Sequence, residues 1–294
     1  MKFGTLYSYW GNEWDCNLEA YIKLIQKVSS IGFDILEVSA DHIYQMSETD
    51  LQTLNDVRKQ NGLVFTLNSG PTKEFDLASA DEYIRQQGIH YYTKIIEKMP
   101  LVESNMLIGA LYSYWPSDFI SINKKNAWER SINCLKQIGK VAESLNITIA
   151  LEVLNRNETY ILTNCEEAVE YCKKINSSAV KILLDTYHMN IEEDNIPDAI
   201  RYAGDWLAHL HVGENNRKLP GMNNTINWPA IGQALHDIGY DKGVVMEPFL
   251  LKGGSVGNAI RVWRDLSNNA SPAQMDEYIS QSLSFLRNTF SIQN

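Results

Sequence analysis

The chain predicts one closed (β/α)8 barrel domain spanning residues 1–294, and three observations carry that expectation. Short β-branched or aliphatic runs alternate about eight times with longer helical patterns, the order that builds a parallel sheet covered by helices. Several runs are apolar at nearly every position, as strands buried on both faces are. Glu152, Asp185, His211 and Glu247 each follow one of four successive runs, and all four carry groups able to bind a metal.

The expected strands are 2–7, 33–39, 63–68, 106–112, 147–153, 180–185, 207–212 and 243–247. After the first comes Tyr7-Ser8-Tyr9-Trp10-Gly11. That turn lacks the glycine-rich phosphate loop of a doubly wound open sheet, which leaves the closed barrel as the better solution. Leu18, Tyr21, Ile22, Ile25 and Val28 recur at helical spacing, and Gly32 follows as a C-terminal cap. Ser47 precedes Glu48-Thr49-Asp50, a helix start with acids near the positive end of the dipole. Over 128–145, Trp128, Ile132, Leu135, Ile138, Val141 and Leu145 line one helical face. No linker or low-complexity stretch divides the chain.

Composition narrows the function. Hydrophobic residues make up 44% and charged residues 21% of the chain, the balance of a globular protein with a sizeable core. A formal net charge of −10 argues against nucleic-acid binding, which rests on neutralising phosphates, and against anionic membranes. Cys16, Cys134, Cys165 and Cys172 form no CxxC pair, so reduced thiols are expected. The opening Met-Lys-Phe-Gly-Thr-Leu-Tyr lacks a basic region followed by an apolar stretch, and the cytoplasm is the expected compartment.

Residues at the C-terminal ends of barrel strands converge on one pocket, so dispersed ligands meet there. Glu152, Asp185, His211 and Glu247 lie about one strand–helix unit apart. Three carboxylates and an imidazole suit Mn²⁺, Mg²⁺ or Co²⁺ better than an ion that prefers thiolates. Such an ion makes an α-hydroxy carbonyl compound acidic enough to lose a carbon-bound proton. Glu37 also ends a strand, and its type alone fits a solvated residue as well as a partner. His209 shares a strand face with His211, and one of the two has a simple reading as a buried, hydrogen-bonded histidine. Glu158, His188 and Arg217 flank the ligand candidates; taken singly, a solvated acid, a helix cap and a surface ion pair describe them equally well.

The strings LEVLNR (151–156), LLDTYHMNIEED (183–194), HLHVGENNRKLPG (209–221), VVMEPF (244–249), GALYSYWP (109–116) and YSYWGNEW (7–14) resemble the D-tagatose 3-epimerase/D-allulose (D-psicose) 3-epimerase family. That family belongs to the xylose-isomerase-like barrels, and the resemblance runs past Trp263-Arg264-Asp265. It implies that Glu152, Asp185, His211 and Glu247 hold one divalent ion per subunit, Mn²⁺ or Co²⁺ by preference, with Mg²⁺ also suitable. It implies that Glu152 and Glu247 double as an acid/base pair on opposite sides of the sugar. Glu158, His188 and Arg217 would hold the O1–O3 end of an open-chain ketose. Trp14, Trp115 and Phe249 would shape the pocket around the rest, with Leu6 standing where many relatives carry an aromatic residue. Trp128 and Trp263 are expected to be ordinary packing residues. Asn68-Ser69 before Gly70-Pro71, and the loop Gly221-Met-Asn-Asn-Thr225, also depart from patterns seen in some relatives. The departures leave the ligand set intact and bear on which ketose is preferred.

The expected reaction is interconversion of D-fructose and D-allulose, or of related ketoses such as D-tagatose and D-sorbose. The C3 proton leaves one face, giving a cis-enediolate, and a proton returns to the other, so two carboxylates are needed. The partners implied are a small ketose and further copies of the chain, as a homodimer or homotetramer. An aldose–ketose or hydroxypyruvate-type isomerase is the nearest rival on the same barrel. An endonuclease-IV-like nuclease is disfavoured by the acidic charge, and a non-catalytic sugar-binding protein by the presence of both glutamates.

Overall fold

Eight parallel strands close on themselves in sequence order in the computed structural model, which describes residues 1–120 and 122–291. They are β1 (Lys2–Leu6), β2 (Ile35–Ser39), β3 (Val64–Ser69), β4 (Met106–Gly109), β5 (Thr148–Glu152), β6 (Val180–Asp185), β7 (Leu207–Val212) and β8 (Gly243–Met246). β8 pairs with β1 to complete the barrel.

Alternation along each strand sorts its side chains. Ile149, Leu151, Ile182, Leu184, Leu210, Val244 and Met246 belong to the large apolar core shared with the helices. Ile108, Ala150, Leu183 and Ala208 form a separate small cluster that plugs the barrel interior. Glu152 is two residues beyond Ala150 and Asp185 two beyond Leu183, so both acids continue the inward face above the plug.

One irregularity matters. The β6–β7 register runs from Ile182–Leu207 to Leu183–His209, leaving Ala208 as an extra residue. That bulge sets Leu183 beside His209 and Asp185 beside His211, so both imidazoles share the inward face. Gly243 makes room for the first of them, since a Cβ there would lie 2.9 Å from His209 Cε1.

The helix Leu18–Ile31 has the expected bounds, with Gly32 capping it at a φ of 102°. Ser47 caps the helix Glu48–Gln60 by accepting from Asp50 N. The helix expected over 128–145 starts earlier, as Lys124–Ser144, because the Asn123 side chain accepts from Asn126 N. Five strands are shorter than expected, β5 by one residue at each end and β8 by one at its C-terminal end. Phe33 N is taken by Val28 O in the preceding helix cap, so β2 starts two residues later. β4 stops at Gly109, whose φ of 122° turns the chain out of the ladder. β1 ends before Tyr7, which opens a 3-10 turn over Tyr7–Trp10.

Trp128 packs as expected, its Nε1 donating to Ile161 O at 2.7 Å and its ring meeting Tyr171 edge-on. Trp263 does not: it is 71% exposed. Arg261 takes a left-handed φ of 63°, and the chain then sends Val262 inward and Trp263 into solvent. No helix among the described residues is long and apolar enough to cross a membrane.

Candidate metal centre and active site

Glu152 ends β5, Asp185 ends β6, His211 lies near the end of β7, and Glu247 follows β8. One ligand atom from each lies within 4.8 Å of the others, and all four side chains are buried. His211 Nδ1 faces Glu152 Oε1 at 3.4 Å and Glu247 Oε1 at 3.6 Å. Neither ring nitrogen of His211 has a well-formed hydrogen bond, although both are inaccessible to solvent. A buried nitrogen left without a partner carries a real energetic cost. Its aim at two carboxylates is the arrangement a divalent cation resolves, so these residues fit a dication of the Mn²⁺, Co²⁺ or Mg²⁺ type.

The electrostatics agree. Burial raises the Glu152 pKa, against the opposing pull of His211. Burial likewise pushes Glu247 up to about 7, with His211 opposing and Glu152 adding to it. Asp185 is pushed up to about 6 by burial, partly offset by Arg217. Three buried acids crowded together therefore hold protons more readily than free carboxylates do, and positive charge relieves that.

Arg217 supplies some of that charge from the loop after β7. Its Nη1 donates to Asp185 Oδ2 at 2.9 Å and to Glu247 Oε2 at 2.8 Å, and its guanidinium stacks 3.8 Å over the Tyr187 ring. The residue holds a left-handed φ of 64°, stabilised by Arg217 N donating to Glu214 O and by Phe249 N donating to Arg217 O.

His188 is fully buried in the helix Thr186–Glu192, which Asp185 caps through Tyr187 N. Its Nδ1 accepts from Asn155 N at 3.0 Å, which places the ring proton on Nε2. Nε2–H then has Asp185 Oδ2 at 3.6 Å and Arg217 Nη2, another donor, at 3.1 Å. Burial and the Arg217 charge lower the His188 pKa well below its ordinary value, so the ring is neutral. Glu158 is 3.9 Å from Arg217 and accepts from Trp115 Nε1 at 2.8 Å.

A cavity of about 870 Å³ opens above this cluster. Leu6, Trp14, Trp115, Glu152, Glu158, His188, Arg217, Glu247 and Phe249 all line it, whereas Asp185 and His211 lie beneath its surface. Trp14 and Phe249 meet edge to face at 6.1 Å and form one apolar wall. Leu6 is 3% exposed and lies in the same lining. The structure thus brings together every site residue expected from the sequence.

Other residues there were not expected. Asn155 sets the His188 tautomer, and Asp41 and His42 add polar lining to the cavity. Burial pushes the Asp41 carboxyl up to about 6. Asn155 stands within the LEVLNR string and was legible as a neighbour; Asp41 and His42, in the short helix Ala40–Gln45 after β2, left no signal. Glu214 is fully buried and gathers donors from Gly221 N, Thr225 and Trp228 Nε1, which holds the divergent 221–225 loop in place.

Residues 25–287 match the family described as xylose isomerase-like TIM barrel. The chain is 44% identical over 288 residues to the D-psicose 3-epimerase of Ruminiclostridium cellulolyticum, covering 98% of this chain and 97% of that one. It is 41% identical to the D-psicose 3-epimerase of Agrobacterium fabrum, covering 98% of each. A crystal structure of D-psicose 3-epimerase with D-tagatose from Clostridium cellulolyticum H10 superposes with a TM-score of 0.96 at 43% identity, over 99% of this chain and 100% of that one. With fold, strand-end acids and full-length identity in agreement, this chain belongs to the D-psicose 3-epimerase family of xylose isomerase-like TIM barrels.

Proposed function

We propose that the protein is a metal-dependent ketose 3-epimerase that interconverts D-fructose and D-psicose (D-allulose) and accepts related ketoses such as D-tagatose and D-sorbose. The observation that carries this reading is the buried cluster of Glu152, Asp185, His211 and Glu247 at the floor of the cavity. Two of its carboxylates, Glu152 and Glu247, also line the cavity and so can meet substrate.

Those two are the acid/base pair. One takes the C3 proton from one face of the open-chain sugar and the other returns a proton to the opposite face. In the metal-free protein burial raises both pKa values; a bound ion would draw them back down, leaving carboxylates able to accept a proton and, once protonated, to return one. His188 donates its Nε2–H to a substrate oxygen, and Arg217 adds a charge-assisted bond at the same end. Trp14, Trp115 and Phe249 cover the C–H faces of the sugar and keep out water that would screen these charges. A Mn²⁺ or Co²⁺ ion, with Mg²⁺ a further option, held by Glu152, Asp185, His211 and Glu247 would supply the positive charge that stabilises a developing enediolate, an effect of several kcal/mol.

Incubation of metal-loaded protein with D-fructose in D₂O tests the reading: D-psicose forms with deuterium at C3. Label at C1 or C2, with an aldose as product, would instead establish a 1,2-isomerase. A homodimer or homotetramer working in the cytoplasm completes the reading on sequence grounds, and sedimentation equilibrium checks the assembly.

A further inference from the structure

Glu37 is a buried carboxylate that the reaction above does not use. It lies on β2 with no solvent exposure, and it is not part of the cavity lining. Its Oε1 is 3.0 Å from His211 Nε2, a charge contact short of a well-aligned hydrogen bond, on the far side of the imidazole from Glu152 and Glu247. It is itself firmly held. Thr66 Oγ1 donates to Oε2 at 3.0 Å, Asn68 Nδ2 donates to Oε1 at 2.9 Å, and His209 Nε2 lies 3.2 Å from Oε2. Three strands, β2, β3 and β7, thus position one carboxylate against one ring edge.

We propose that Glu37 is the positioning residue of the metal centre: it draws the His211 ring proton to Nε2, leaving Nδ1 unprotonated and directed at the ion. The proposal rests on the metal-dependent reading above. The chemistry is general: a ligating imidazole is more basic, and its tautomer fixed, when its other nitrogen faces a carboxylate. Removing such a partner costs about 10–100-fold in metal affinity.

A second ion among Glu37, His209 and His211 is the competing use of the same cluster. Three neighbours already occupy the two Glu37 oxygens, and none of the three side chains reaches the cavity through which an ion would enter. Asn68 has a different importance. It touches Glu37 and also lines the cavity, so the departure noted at Asn68-Ser69 reaches the metal centre as well as the sugar.

The test uses metal-stripped full-length protein and Mn²⁺ as the probe, with affinity read by calorimetry and the imidazole tautomer by ¹⁵N shifts of labelled histidine in the Mg²⁺-loaded form. For Glu37→Gln, which keeps the shape and removes the charge, Mn²⁺ binding is expected to weaken about 10–100-fold, and the Nε2–H tautomer of His211 to lose its dominance. Wild-type affinity and tautomer in a folded Glu37→Gln protein would overturn the proposal while leaving the epimerase reading intact. If Glu37→Gln does not fold, Asn68→Ala decides, with the carboxylate kept but one of its clamps removed. A two- to fivefold weakening is the expected result, and no change overturns the proposal. Failure of the wild-type protein to take up Mn²⁺, Co²⁺ or Mg²⁺ would overturn both readings.

Discussion

Asp185 and His211 stand directly opposite each other across the β6–β7 ladder, and a single slipped residue puts them there. With continuous pairing from Ile182–Leu207 onward, Asp185 would meet Leu210 instead. The slip at Ala208 moves the whole end of β7 by one position, which exchanges its inward and outward faces. Ala208 itself fits because it is small and packs inside against Ile108, Ala150 and Leu183.

Enlarging that residue should therefore damage the centre from a distance. Ala208→Leu overpacks the plug, at a cost of about 1–3 kcal/mol, and displaces β7 beneath His211. Mn²⁺ affinity is expected to fall several-fold alongside the melting temperature. A variant that melts earlier yet binds Mn²⁺ like wild type would separate the bulge from the ligand geometry.

Glu152→Gln and Glu247→Gln each keep the side-chain shape but remove a basic carboxylate from the cavity. Each should lower kcat for D-fructose by roughly 10²–10⁴-fold, the range of general acid–base catalysis, with an unchanged circular dichroism spectrum. Turnover near the wild-type rate in either variant would refute the assignment.

Arg217 donates to Asp185 and Glu247 inside the protein, so losing it leaves two buried acids without their cation. Arg217→Met should cost the metal-free protein about 3–5 kcal/mol at pH 8, where both acids are driven to ionise. The cost should shrink near pH 5, because burial raises the Asp185 and Glu247 pKa values to about 6 and about 7 and a protonated acid needs no cation. Guanidinium unfolding at the two pH values measures this; an equal loss at both would contradict the pairing.

Removal of the metal should change the pH dependence of stability in a defined direction. The folded pKa values of Asp185 and Glu247 are raised above the ordinary 3.8 and 4.5, to about 6 and about 7. The folded state then holds more protons than the unfolded chain between roughly pH 4 and 7, and stability falls as pH rises through that window. A bound dication must expel those protons, so its affinity rises over the same window. At 100 times its dissociation constant, the ion adds about 2.7 kcal/mol. At one fixed Mn²⁺ concentration, the gain in melting temperature should be larger at pH 8 than at pH 5. A gain independent of pH would mean that these acids are not the ligands.

The one expectation about packing that the structure reverses is Trp263. An aromatic residue in a chain of ordinary hydrophobicity reads as buried, but Arg261 in the left-handed region turns Trp263 into solvent. The strand limits at Phe33 and Gly109 shifted for a related reason. A helix cap at one and a positive φ at the other decide where pairing begins and stops, and residue type alone does not encode either.

The amino-acid order by itself determined the alternation of strands and helices, and the placing of three acids and a histidine at strand ends. Hydrophobic periodicity and chain order are local properties, so they can be read directly. What tertiary structure alone decided is how those groups face one another: the slip at Ala208, the Asn155 contact that sets His188, and the clamp of β2, β3 and β7 around Glu37. Glu37 and His211 are far apart in sequence, and nothing in either local pattern marks them as neighbours. Barrel closure brings them to 3.0 Å, because inward-facing side chains from separate strands must share one narrow interior.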